Sequence, residues 1–183
     1  MNMAQKLNKT GIHSIFESLD KEIDESLEQP STKFVLIAVG GTSLTLRNIK
    51  SSTKDVDLMV DGIELSKVKT HLRQVCKKNK CKIDIWQSPH IFSTTLLENF
   101  TSDLYPRKYK HFDVKIVNLV DNAVAKLSRF NEADREDIDG IIRFGVNPTQ
   151  IVHRFEETLR NNGFANRREA ETNLNIFRKV QNI

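Results

Sequence analysis

The stretch that decides the fold runs from Val39 to Val60, VGGTSLTLRNIKSSTKDVDLMV. At its end two carboxylates, Asp55 and Asp57, stand two residues apart among Val56, Leu58, Met59 and Val60. Strand side chains alternate between faces, so Asp55 and Asp57 share one face while Val56, Leu58 and Val60 turn to the core. Just upstream, the apolar run KFVLIAV (Lys33 to Val39) reads as a buried strand ended by Gly40-Gly41. TSLTLR then reads as a short helix whose N-terminus begins at the glycines.

The next strand repeats the device. In CKIDIWQ, Ile83 and Ile85 face the core and Asp84 faces out beside Trp86. If the two strands are neighbours, three carboxylates converge on one surface. Crowded carboxylates repel and raise at least one pKa unless a cation sits between them. A hard divalent ion such as Mg²⁺ (or Mn²⁺) suits oxygen ligands and keeps positions open for phosphate oxygens and water. Two such ions, about 3.5–4 Å apart, stabilise both the attacking and the leaving oxygen of a phosphoryl displacement. Gly40 and Gly41 allow a sharp turn that brings backbone N–H groups near an anion, and the helix that follows points its positive end the same way. Thr42 and Ser43 add hydroxyls able to donate to phosphate oxygens. These pieces describe a triphosphate cradle beside an acidic metal site.

Outward from this centre the chain alternates strands and helices, then turns helical. Ile12 to Leu27 has helical spacing and stops before Pro30. Ile63 to Lys78 places Leu65, Val68, Leu72 and Val75 on one stripe. Residues 88 to 110, broken by Pro89 and Pro106, read as loop or partial helix. HFDVKIV (His111 to Val117) alternates as a strand. Asn118 caps a helix carrying Val120, Ala123, Val124, Leu127 and Phe130. Further helices are expected over Ala133 to Phe144, from Asn147-Pro148 through Leu159, and from about Asn166 with Ala170, Leu174, Phe177 and Val180 on one face. The fold class is therefore α/β (or α+β), a mixed β-sheet flanked by helices. Residues 1–118 form the core, and a helical extension, 119–183, packs on it as one unit.

Composition agrees. The 183 residues are 38% hydrophobic and 28% charged, enough for a buried core. FVLIAV is too short to span a bilayer, and MNMAQKLNKT lacks the apolar stretch of a signal peptide, so no membrane role and a cytosolic setting are expected. Cys76 and Cys81 lack further ligands nearby and read as reduced thiols. The net charge of +4 is mild, with its densest clusters at KKNKCK (Lys77 to Lys82) and YPRKYKH (Tyr105 to His111). Both read first as solvated loops, although the second interleaves tyrosines with cations as nucleic-acid patches do.

The order of VGGTSLTLRNIKSSTKDVDLMV and KIDIW resembles the polymerase-β-type nucleotidyltransferase superfamily. Its signature is a hydrophobic strand, a Gly-Gly or Gly-Ser turn, a short helix, a D-x-D strand and a third acidic residue on a later strand. AKLSRFNEADREDIDGI (Ala125 to Ile141) is similar to a helical signature in a small prokaryotic branch related to abortive-infection and toxin–antitoxin proteins. The likeness spans roughly residues 33 to 142. It implies that Asp55 and Asp57 hold the metals that carry an NTP. Asp84 completes the second metal site and helps deprotonate an acceptor hydroxyl of RNA, protein or a small molecule. Lys126 is implied as a phosphate contact, with an exposed cation on an amphipathic helix as the plain alternative. Asp134, Arg135 and Asp137 read as a capping and ion-pair network at a helix start. Gly41 departs from the Gly-Ser form, which leaves one hydroxyl contact to Thr42 or Ser43. A non-catalytic module that binds the partner protein of a toxin–antitoxin pair is the alternative function.

Overall fold

The computed structural model describes residues 6–26, 32–61 and 65–183. Leu27 and Pro30, expected at the end of the first helix, and Ile63, expected at the start of the next long one, lie outside them. Five apolar residues make β1 (Phe34–Ala38), and a chain turn at Gly40, with φ of 51°, starts α2 (Gly40–Leu46) directly. That left-handed backbone is open to glycine at little cost. β2 (Asp55–Asp61) pairs antiparallel with β1, so that Ala38 faces Leu58 and Leu36 faces Val60. β3 (Lys82–Gln87) pairs parallel with β2, and β7 (Phe112–Val117) parallel with β1. With β6 (Ser102–Leu104) these make a mixed sheet in the order β3-β2-β1-β7-β6.

One face of that sheet carries Leu36, Ala38, Val56, Leu58, Val60, Phe112 and Val114. They form a common core with Ile12, Phe16 and Leu19 of α1 (Lys9–Asp24) and with Val68, Leu72 and Val75 of α3 (Leu65–Lys78). Burying a large aliphatic side chain contributes about 1.5–3 kcal/mol, so this two-helix layer stabilises the sheet that carries the carboxylates.

The segment 88–110, expected as loop or partial helix, contains short strands instead. β4 (His90–Ile91) and β5 (Thr94–Thr95) form a separate two-stranded ladder, and β6 joins the main sheet. Strands of two or three residues are too short to show an alternating pattern, and Pro89 and Pro106 interrupt what pattern there is.

The C-terminal helices are α4 (Leu119–Leu127), α5 (Glu132–Arg143), α6 (Pro148–Arg160) and α7 (Arg167–Gln181). Each is capped by an asparagine whose side chain accepts a first-turn N–H: Asn118, Asn131, Asn147 and Asn166. Asn8 does the same for α1. On α7 the expected face holds at Ala170, Leu174 and Phe177, whereas Val180 is 63% exposed, so the buried stripe ends one turn before the helix does.

The chain divides into two compact units that interleave in sequence. One comprises residues up to Ser88 together with Ser102–Ile116; the other comprises Pro89–Thr101 together with Val117–Ile183. The second unit thus draws in 89–101 as well as the C-terminal helices, through Thr95 N–H to the Gly163 carbonyl at 2.7 Å and a bridge between Thr94 and Phe164.

Candidate functional site

All three candidate carboxylates belong to the first unit, on adjacent strands. In the parallel register of β2 and β3, Asp57 stands beside Asp84 and Asp55 beside Lys82, so Asp55, Asp57 and Asp84 share one face. Asp57 is buried, Asp55 half-buried and Asp84 exposed.

Residues 39–42 hold β2 in place through four hydrogen bonds. Gly41 N–H donates to Asp57 Oδ2 at 3.0 Å, and Val39 N–H to the Asp57 carbonyl at 3.1 Å. The Thr42 hydroxyl accepts the Asp57 N–H at 2.8 Å and donates to the Asp55 carbonyl at 3.3 Å. The first turn of α2 therefore meets a carboxylate of its own chain, which its partial positive charge stabilises. Thr42, expected to offer its hydroxyl to a phosphate, spends it on the backbone of the two aspartates. Ser43 is fully buried, with its N–H on the Val39 carbonyl.

Thr53 is a residue the sequence reading missed. Its hydroxyl donates to the same Asp55 carbonyl at 3.0 Å, and its side chain fills the space beside Gly41. A Cβ at position 41 would lie 2.5 Å from Thr53 Oγ1 and 3.2 Å from Thr53 Cβ. The departure from a Gly-Ser pair thus has a steric cause: Thr53 occupies the room a side chain at 41 needs. The signal was present as a threonine two residues before Asp55, a spacing at which a hydroxyl reaches nearby backbone. Gly41→Ala is expected to cost about 1–3 kcal/mol in urea unfolding, and Thr53→Ala in the same chain to restore part of it. Wild-type stability in the single variant would overturn this coupling.

The residues present fit a divalent ion that would take only part of its ligands from the protein. Asp55 Oδ1 is buried and has no hydrogen-bond partner, an acceptor left for a cation or water. Among the described residues no group of three or more His, Cys, Asp or Glu is placed to hold a metal unaided. One or two carboxylates, with the remaining positions left to substrate phosphates and water, is the pattern expected of Mg²⁺ in a nucleotide site.

Residues 14–168 match a protein family described as "Nucleotidyltransferase of unknown function (DUF6036)". The chain belongs to this family. No curated protein and no solved structure matches it. Within this nucleotidyltransferase family chain, the match covers both the D-x-D strand and helices α4, α5 and α6, and stops at the start of α7.

Lys126 of α4 is buried, which rules out the exposed cation of the plain alternative. The residue is 3% exposed, and its ammonium lies 2.6 Å from Asp137 Oδ2 and 3.3 Å from Asp134 Oδ1, both buried on α5. Arg129 adds a second cation to Asp134 at 2.8 Å. Lys126 is thus not an exposed cation; its ammonium is held between two carboxylates of α5. The capping network expected of Asp134 is present, since its N–H donates to the Asn131 side chain at 3.0 Å. Arg135, by contrast, bonds the Phe130 carbonyl.

The basic stretch YPRKYKH is similarly occupied. Arg107 pairs with Glu17 and Lys110 with Asp24, while the Lys110 and His111 N–H groups donate to Asp20. Tyr109 stacks on Phe112 inside the core, and the Tyr105 hydroxyl bonds His13 Nε2 at 2.7 Å. Two cations matched to the acidic face of α1 and a tyrosine in the core leave little of a nucleic-acid platform. Among the described residues, no helix is long and apolar enough to cross a membrane.

Proposed function

We propose that this chain transfers a nucleoside monophosphate from an NTP to an acceptor hydroxyl of RNA, protein or a small molecule, with release of pyrophosphate. The observation that carries the reading is the placement of Asp55, Asp57 and Asp84 on one face of two paired strands, with Asp57 fixed by Gly41, in a chain of a nucleotidyltransferase family. Asp55 and Asp57 would hold Mg²⁺ or Mn²⁺, with Asp84 completing a second site. The ions supply charge neutralisation for the triphosphate and for the oxygens that attack and leave. Gly40 and Gly41 let the chain turn sharply into α2, which sets the Gly41 N–H on Asp57 and fixes that carboxylate for its role. Asp84, the exposed member, accepts the proton of the acceptor hydroxyl. The acceptor oxygen then bonds to the α-phosphorus as the bond to the pyrophosphate oxygen breaks. Positioning and charge neutralisation supply most of such a rate enhancement.

The test is incubation with each α-labelled NTP, Mg²⁺ or Mn²⁺ and bulk RNA, beside the Asp55→Asn/Asp57→Asn variant. Label entering RNA, the protein itself or a small product only with the aspartates intact is the expected result. Equal labelling by the variant would remove the site assignment. Absence of label with every nucleotide and acceptor would favour the non-catalytic module that binds a partner protein.

A further inference from the structure

α3 ends in a Schellman turn. The N–H of Cys81 donates to the Cys76 carbonyl at 3.0 Å, and the N–H of Lys80 to the Lys77 carbonyl at 3.3 Å. Between them Lys80 adopts the left-handed conformation, φ 53°, that closes this motif. Such a turn brings two side chains together, the third residue from the helix end and the second beyond it. In most proteins the pair is apolar. Here the two residues are Cys76 and Cys81, the protein's only cysteines.

The two thiols differ in setting. Cys76 is 2% exposed in the core, whereas Cys81 is partly open to solvent. The neighbouring thiol holds Cys81 below its ordinary range, and the same neighbour together with burial holds Cys76 above it. Lys77, Lys78, Lys80 and Lys82 are all exposed around the turn. An accessible thiol beside a buried second thiol is the arrangement of a sensing and a resolving cysteine.

We propose that Cys76 and Cys81 are a redox modification site, closed into a reversible disulfide by a peroxide. The Cys81 thiolate attacks one oxygen of hydrogen peroxide, which breaks the O–O bond and gives a sulfenic acid and hydroxide. The Cys76 sulfur then displaces that hydroxyl as water, its own proton leaving with it, and the S–S bond forms. The two thiols lose two electrons and the peroxide gains them. The bond locks the joint between α3 and β3 three residues before Asp84.

The test uses the full chain. Mild hydrogen peroxide should make it two hydrogens lighter by intact mass and remove both free thiols, and dithiothreitol should restore both. In Cys76→Ser, dimedone should trap Cys81 as the sulfenic acid; in Cys81→Ser, Cys76 should stay unreacted. Two titratable thiols persisting after peroxide, or a disulfide formed only between chains, would overturn the proposal. The same holds if Cys76→Ser leaves Cys81 unreactive. None of these readouts depends on nucleotidyl transfer, so the proposal stands or falls apart from the one above.

Discussion

Asp57→Asn is expected to lower nucleotidyl transfer by at least about 10²–10³-fold while leaving the chain folded. Two roles meet in this carboxylate, and the substitution separates them. Its Oδ2 accepts the Gly41 N–H at 3.0 Å, an architectural bond that an asparagine side-chain oxygen keeps. Its negative charge, beside Asp84 in the register of β2 and β3, is what a divalent ion requires, and asparagine lacks it. The initial rate should therefore collapse, while the unfolding free energy measured in urea falls by no more than about 1 kcal/mol. Full activity in the variant would refute Asp57 as a ligand. Loss of fold together with activity would show that the charge, rather than the hydrogen bond, holds β2 against α2.

Lys126→Met should be the most destabilising single change in the helical unit, at about 3–5 kcal/mol. The ammonium pairs with both Asp137 and Asp134, and all three side chains are buried. Removing one partner of a buried pair leaves charge in a medium that solvates it poorly, which costs far more than the pair itself contributes. Set against a typical domain stability of about 5–15 kcal/mol, such a loss would be visible in any unfolding curve. The double variant Lys126→Met/Asp137→Leu removes a charge of each sign and should recover much of the stability. A single variant as stable as wild type would show that the network contributes little. A double variant no better than the single would place the cost in packing instead.

The parts of this fold legible in the sequence were those with a strong period or a marked punctuation. The apolar β1, the alternating β2 and β7, and the helices begun by Asn118, Asn147 and Asn166 all carry such marks. The strands of 88–110 carry none, because two-residue ladders are made by tertiary partners such as Gly163 and Phe164, far along the chain. At the site, the shared face of Asp55 and Asp57 follows from strand geometry alone. Their pairing with Asp84 needed β3 to lie beside β2, which the alternation allowed without requiring. Thr42 shows a different limit. A hydroxyl after a glycine pair suits a phosphate, yet it also suits a nearby backbone, and only the fold decides which is closer. Lys126 likewise sits on a helix of mixed polarity, where its burial depends on carboxylates eight and eleven residues ahead.

The interleaving of the two units constrains how the protein can be made. During synthesis, residues 89–101 emerge before the last strands of the sheet, yet their partners at Gly163 and Phe164 emerge well after that sheet is finished. The sheet can therefore complete while the β4–β5 ladder still waits for its partners. Neither unit can be expressed as a single uninterrupted fragment.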